Sequence, residues 1–238
     1  MSQPTQLPPL PTETGAPTEA PTETIVWFPP TATFTPLPSV TPNKIPTPDT
    51  RAVFGELILQ DDFSQPENWT TGKMTAGSVV FGKNELSLGV SQPEGYLYSL
   101  REDAVVGDFY LEITASPSIC RSKDEYGVLF RVSPGLDFFR FGLNCAGEAR
   151  VDRFLAGSAS SPQPPTVSGV VPPGAPSSSR IGIWANGREI RFYVNNEYLF
   201  MIHDQSLPSG GLGVYARAAG PDEMSVNFSE LAVYDAQS

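Results

Sequence analysis

The chain has 238 residues, including 25 prolines and 21 glycines, and its formal net charge is −11 at pH 7. The acidic charge is spread along the sequence and no basic stripe is present, which argues against nucleic acid and against an anionic membrane surface as partners. The sequence has no run of 18 apolar residues, so it predicts no transmembrane helix.

The first 50 residues include 13 prolines and 12 threonines but only five charged residues. Such a segment cannot bury enough apolar surface to offset the entropy lost on ordering. We therefore predict a disordered Pro/Thr-rich linker or stalk over residues 1–52, rich in polyproline II, which holds a domain away from a wall or membrane. Its one apolar island, Trp27-Phe28 beside Pro29-Pro30, is either a docking segment or a patch of the linker.

The sequence begins with Met1-Ser2 running directly into Gln-Pro-Thr, and no signal peptide is visible. We expect an exported protein, extracellular or on the cell surface, from which a signal or lipoprotein segment has been removed. The stalk is then expected to be tethered to the membrane or wall. The alternative is a true start and a cytosolic protein.

Residues 53–238 are predicted to form one domain of short strands separated by turns. Asn186-Gly187 and Asn195-Asn196 supply the positive φ that tight hairpins need, and no window shows helical periodicity. This pattern predicts an all-β, two-sheet antiparallel sandwich. The predicted strands are Val79–Leu88, Tyr96–Leu100, Phe109–Ala115, Gly127–Ser133, Phe138–Asn144, Ala149–Leu155, Arg180–Ala185, Glu189–Val194, Tyr198–His203, Gly211–Arg217 and Met224–Tyr234.

Several segments of this domain resemble concanavalin A-like lectin/glucanase (laminin-G-like) domains. They are Gln60–Ser64 through Trp69, Glu125–Arg131 followed by Phe138–Phe141, the hairpin Arg188–Asn196 and the terminal Val226–Val233. The chain is similar in particular to the Pro/Thr-stalked surface lipoproteins of Chloroflexi-like bacteria. The resemblance implies a jelly roll with a concave face, in a fold that hosts lectins, hydrolases and structural modules.

Alternation along the strands places polar and aromatic side chains opposite the apolar ones. On this basis the candidate ligand-binding residues are expected to converge on the concave face, where aromatic rings and guanidinium groups suit carboxylated or multiply hydroxylated glycans. The alternative is a solvated sheet face on which arginines cover apolar atoms. The candidates are Arg131, Arg140, Asp152, Trp184, Arg191 and Tyr193.

The two cysteines, Cys120 and Cys145, lack metal-type spacing, so we predict a disulfide. No cofactor is predicted. In the resembling family a structural calcium ion often joins the opening strand to an Asp of the last strand, which makes Asp61 and Asp62 weak candidates for calcium ligands. Ser229-Glu230 stands where that last-strand Asp is expected, which counts against the site.

No catalytic constellation is recognised. Laminarinase-type members of the resembling fold carry Glu-x-Asp-x-x-Glu on one strand, and this sequence has no such string; His203 is the only histidine. We therefore predict a non-catalytic cell-surface module that binds glycans or an envelope partner through its concave face. The alternatives are a structural component of the envelope or sheath, and a glycoside hydrolase whose carboxylate pair the sequence does not reveal.

Overall fold

The computed structural model describes residues 54–236, which fold into two antiparallel β-sheets packed face to face. The strands are β1 (Phe54–Asp61), β2 (Gly72–Met74), β3 (Gly77–Phe81), β4 (Leu86–Val90), β5 (Tyr96–Val106), β6 (Phe109–Ile119), β7 (Glu125–Val132), β8 (Phe138–Asn144), β9 (Glu148–Leu155), β10 (Ser158–Val167), β11 (Ser179–Asn186), β12 (Glu189–Val194), β13 (Glu197–His203), β14 (Gly210–Arg217) and β15 (Met224–Ala236). A 3-10 helix spans Pro66–Asn68. Within these residues, no helix has the length and apolarity needed to cross a membrane.

The larger sheet has nine strands and the smaller has six. The order in the larger sheet is β13-β12-β11-β6-β15-β4-β3-β2, with β1 paired to the end of β15. The order in the smaller sheet is β10-β9-β8-β7-β14-β5. The predicted all-β sandwich is confirmed, whereas the predicted stalk with its Trp27-Phe28 island lies outside the described residues.

The core lies between the two sheets and follows from the period-2 alternation of each strand. Phe139, Phe141 and Leu143 of β8 point inward and are fully buried. The ring of Phe141 meets that of Phe192 from β12 at a centroid distance of 4.6 Å, so this contact joins the sheets. Burying each such ring contributes about 2–3 kcal/mol relative to leaving it in water.

The observed strands differ from the predicted ones in two ways: one predicted run is two strands, and β1, β2 and β10 were not among the predicted strands. The run Val79–Leu88 is two strands, because the chain reverses at Gly82, whose N–H donates to the carbonyl of Glu85 at 2.8 Å, with Asn84 at φ 58°. β10 was not predicted because its sequence is rich in Ser and Pro. Proline cannot donate to a ladder, which is why this strand lies at the exposed edge of the six-stranded sheet.

The predicted disulfide between Cys120 and Cys145 is confirmed. It joins the end of β6 to the β8–β9 turn with the two Cα atoms 6.0 Å apart. Beside it, the N–H of Cys145 donates to the carbonyl of Asp124 at 3.2 Å. The bond therefore ties the end of β6 in the larger sheet to the β8–β9 turn of the smaller sheet.

Arg131 occupies a β-bulge of β7 and is fully buried between the sheets. Its φ is 51°, and the β7–β14 ladder skips it, pairing Val132 with Gly211 and Phe130 with Leu212. The guanidinium donates to the carbonyls of Gly107 and Gly187, at 3.0 Å and 3.2 Å from Nη2. Gly107 lies in the connection between β5 and β6, which joins the two sheets, and Gly187 lies in the β11–β12 turn of the larger sheet. The predicted position of Arg131 on the ligand face is therefore wrong, because the bulge turns its side chain inward.

We expect Arg131→Met to lower the free energy of unfolding by about 1–3 kcal/mol, because it removes the buried guanidinium that donates to the carbonyls of Gly107 and Gly187. The matched control is Arg188→Met, because Arg188 is exposed. This substitution should change the free energy of unfolding by less than about 0.5 kcal/mol. Urea unfolding of the two variants measures the difference. A loss below about 1 kcal/mol in Arg131→Met would contradict the tethering role.

We expect the double substitution Cys120→Ser/Cys145→Ser to lower the free energy of unfolding by roughly 3 kcal/mol. The bond closes a loop of 25 residues, and opening it restores entropy to the unfolded chain. Urea unfolding with and without a reductant provides the check. The reductant should shift the midpoint of the wild type and leave the double variant unchanged.

Candidate ligand-binding site

A network of charged side chains lies on the outer face of the six-stranded sheet, the face turned away from the core. Arg140 of β8 stands at its centre and is 8% exposed. Its Nη2 donates to Oδ2 of Asp152 on β9 at 2.6 Å, and its Nε lies 3.6 Å from Oε1 of Glu125 on β7. The three residues lie on the same face because each is next to an inward-pointing residue on its own strand, and the three strands are adjacent in the sheet.

A second arginine closes the network. Arg150 of β9 donates from Nη2 to Oδ1 of Asp152 at 2.6 Å, and its Nη1 lies 3.9 Å from Oε2 of Glu125. Two carboxylates and two guanidiniums are therefore interleaved across three strands. Arg150 is the more accessible cation, with 29% of its side chain exposed against 10% for Arg140.

Tyr215 of β14 reaches Glu125 across a trough made by two glycines. Tyr215 pairs with Gly127, and Gly127 pairs with Gly142, so no side chain stands between the ring and the carboxylate. The hydroxyl of Tyr215 donates to Oε1 of Glu125. A Cβ on Gly142 would lie 1.8 Å from that hydroxyl oxygen, so only glycine permits the contact.

Burial affects the ionisation of the groups in this network. Burial alone would raise the pKa of the Asp152 carboxyl, but hydrogen bonds from Arg150, Ser161 and Arg140 outweigh it and hold the pKa below its usual value. Burial raises the pKa of the Tyr215 hydroxyl well above its usual range. At neutral pH Asp152 is therefore a carboxylate that accepts from Arg140, Arg150 and Ser161, and Tyr215 is an uncharged donor.

Aromatic side chains flank the charged floor on two sides. Tyr96 and Tyr98 of β5 lie on one side with their ring centroids 6.1 Å apart. Phe138 and Phe154 stack at 4.6 Å on the other side. The guanidinium carbon of Arg140 lies 5.1 Å from the ring centre of Phe154 and 5.9 Å from that of Tyr96.

An apolar cleft of about 480 Å³ continues this face at the end of β5. Its walls include Leu100 and Val132, which belong to the same outer apolar cluster as Leu129 and Tyr215. The outer face therefore offers aromatic flanks, a charge-satisfied polar floor and an apolar extension. Such a mixture suits a ligand that presents both hydroxyl groups and C–H surfaces.

The other candidate ligand residues lie on the opposite side of the sandwich. Trp184 belongs to β11, and Arg191 and Tyr193 belong to β12, all in the nine-stranded sheet. There the guanidinium of Arg191 covers the Trp184 ring at 4.4 Å and pairs with Glu189 at 2.5 Å. The predicted convergence of the six residues on one face is wrong. Arg140 and Asp152 meet on the outer face of the six-stranded sheet, Trp184, Arg191 and Tyr193 lie together on the nine-stranded sheet, and Arg131 lies between the sheets. The reason is that pairings between distant strands decide which sheet a strand joins.

The weak calcium candidates are engaged in protein contacts. Asp61 is buried and accepts from the N–H of Phe63 at 2.7 Å, from the indole of Trp69 at 2.9 Å and from Arg101. Both of its oxygens therefore have donors, which fits a structural clamp and does not fit a cation ligand. Asp62 is exposed and accepts from the N–H of Ser64 at 3.0 Å. No cluster of three potential ligands is found in the part of the chain that the structure describes.

The sequence reasoning missed most of the network. Glu125 was not among the predicted site residues, although the alternation of Glu125, Gly127 and Leu129 along β7 already places it on an outer face. Arg150 and Phe154 share the β9 face with Asp152 by the same alternation. Ser161, which donates to Asp152 at 2.6 Å, had no detectable signal because its Ser/Pro-rich strand does not read as a strand.

No family model and no curated protein matches this sequence. Among solved structures, the chain is similar to carbohydrate-binding module CBM66 from Bacillus subtilis, with 14% identity, a TM-score of 0.54 and coverage of 71% of this chain and 96% of that one. It is similar to the catalytic domain of an endo-1,3-β-glucanase (laminarinase) from Thermotoga petrophila RKU-1, with 9% identity, a TM-score of 0.57 and coverage of 78% and 100%. It is also similar to a Bacillus subtilis protein of unknown function with a galectin-like fold, with 13% identity, a TM-score of 0.58 and coverage of 78% and 99%.

These similarities place the domain in the concanavalin A-like type of β-sandwich and establish the fold alone. The fold occurs in a binding module and in a hydrolase. The chemistry of the outer face therefore has to distinguish between binding and catalysis.

We expect Asp152→Asn to lower the free energy of unfolding by roughly 3 kcal/mol at pH 7, because Arg140 and Arg150 lose their shared partner. The folded pKa of Asp152 is below its unfolded value, so its contribution is complete above about pH 4 and is lost as the pH falls through the lower folded pKa. The difference between wild type and variant should therefore shrink below about pH 4. Urea unfolding across this range measures it.

The matched control is Asp222→Asn, since Asp222 is 58% exposed and pairs with the exposed Arg121 at 3.0 Å. This surface pair should contribute little at any pH. A gap between wild type and Asp152→Asn that stays constant down to pH 2 would rule out the titrating role of Asp152.

Proposed function

We propose that this domain is a non-catalytic glycan-binding module whose site is the outer face of the six-stranded sheet. The observation that carries the proposal is the network of Arg140, Arg150, Asp152 and Glu125 between two aromatic pairs. Guanidinium groups donate and carboxylates accept, while aromatic faces pack against the C–H surfaces of sugar rings. The likeness to a carbohydrate-binding module supports the same ligand class.

The contacts of the two carboxyls support binding over hydrolysis. A glycoside hydrolase needs one carboxyl that is protonated at working pH and a second that is free to act as nucleophile or base. Asp152 has its pKa held low by three donors, and Glu125 accepts from Tyr215 beside Arg140. Both carboxyls are thus held as structural acceptors, which makes the enzyme the less favoured reading.

The proposed setting is outside the cytosol, at the cell surface. The disulfide between Cys120 and Cys145 supports an oxidising compartment. The Pro/Thr-rich composition of residues 1–52 supports a role as a tether that presents the domain to glycans of the envelope or its surroundings. Assembly of the envelope through protein contacts is the competing role.

A glycan array probed with the full chain, followed by calorimetric titration of the best ligand, tests the proposal. We expect Arg150→Ala to weaken binding at least tenfold, about 1.4 kcal/mol, because Arg150 is the accessible cation of the network. Phe154→Ala should weaken it about fivefold through lost stacking. Arg191→Ala on the opposite sheet is the matched control and should change affinity less than about twofold.

Thermal unfolding of each variant separates loss of binding from loss of fold. Loss of affinity in Arg191→Ala together with unchanged affinity in Arg150→Ala would move the site to the nine-stranded sheet. Absence of binding to every glycan by a folded chain would overturn the glycan function and favour the assembly role.

A further inference from the structure

The ligand class of the outer face follows from its charge balance, provided that this face binds glycans as proposed above. We propose that the site selects uncharged, hydroxyl-rich glycans and discriminates against uronates and other anionic sugars. The sequence left carboxylated and hydroxylated glycans as equal possibilities, because arginine suits both.

The positive charge of the network is already compensated within the protein. Arg140 and Arg150 each hold an oxygen of Asp152 at 2.6 Å, and Glu125 lies within 3.9 Å of both guanidiniums. Two cations thus face two anions on adjacent strands. The balance of two and two holds within this four-residue network; Arg217, a third arginine of the face, lies outside the network, opposite Glu125 in the strand pairing.

An anionic ligand would meet carboxylates as well as guanidiniums. A carboxylate docked on Arg150 would approach Asp152 and Glu125, both of which contact the same guanidinium. In a partly buried setting, two like charges only a few ångströms apart repel much more strongly than they would in bulk water. This repulsion offsets the attraction to the guanidinium, so a negative charge on the ligand gains little.

A neutral polyol meets no such penalty. Its hydroxyl groups both donate and accept, so one ring matches guanidinium N–H groups and carboxylate oxygens at once. Burial raises the pKa of Tyr96 to about 12 and that of Tyr215 above its usual range, so neither phenol adds charge at physiological pH. The flanking pairs Tyr96/Tyr98 and Phe138/Phe154 offer faces for uncharged C–H surfaces.

The test uses the full chain and an array that contains gluco-, galacto-, manno- and fructo-oligosaccharides beside oligouronates. The best uncharged ligand is then compared by calorimetry with the same oligosaccharide oxidised at C6 to uronic acids. We expect the uncharged form to bind at least tenfold more tightly. We also expect its Kd to change less than about twofold between about 20 and 500 mM NaCl, because no net charge is neutralised on binding.

Asp152→Asn provides a variant test, because it removes one of the two compensating carboxylates. In this variant we expect uronate binding to strengthen at least fivefold and binding of the uncharged ligand to weaken. Asp222→Asn removes the same charge from a distant exposed position and should leave both affinities unchanged. The salt titration of the wild type tests the inference even where Asp152→Asn does not fold.

The outcomes separate this inference from the proposed function. Tighter, salt-sensitive binding of the uronate by the wild type would overturn the selectivity for uncharged glycans and leave glycan binding standing. A folded chain that binds neither class would overturn the glycan function and the selectivity together.

Discussion

The ion pairs that hold Arg140 between Asp152 and Glu125 determine the shape of the whole outer face. They keep a charged side chain flat against the sheet at 8% exposure, where the rings of Tyr96 and Phe154 border it. A buried guanidinium without these partners would carry a desolvation cost of several kcal/mol. The carboxylates therefore stabilise a polar floor between the two aromatic pairs.

The same sheet carries a second buried arginine with a different role. Arg131 leaves the outer face because its bulge at φ 51° turns the side chain toward the β5–β6 connection and the β11–β12 turn. It donates to backbone carbonyls and lies 3.6 Å from the half-exposed carboxylate of Asp108, so it links the sheets. Arg140 is instead paired with buried carboxylates on its own sheet. One extra residue in a strand thus separates a structural arginine from one at the candidate site.

The fold alone does not decide between a binding module and a hydrolase, since solved structures of both kinds share it. The distinction rests on what the two carboxyls contact. Catalysis at a sugar needs carboxyls with separate pKa values, one of them raised. Here arginines and Ser161 lower the pKa of Asp152, and Glu125 is shared among Tyr215, Arg140 and Arg150. Both carboxyls are therefore engaged as acceptors for protein donors.

Sequence patterns predicted much of this protein, because strand alternation and turn residues act over a few positions. The all-β class, the inward-facing Phe139 and Phe141, and the pairing of Cys120 with Cys145 were all within reach of such local rules. Alternation also predicted which side chains share a face of each strand, but it did not predict which sheet the strand joins. Only the tertiary structure separated Trp184, Arg191 and Tyr193 from Arg140 and Asp152, because sheet membership depends on pairings between residues far apart in the chain. It also brought Glu125, Arg150 and Tyr215 together for the same reason.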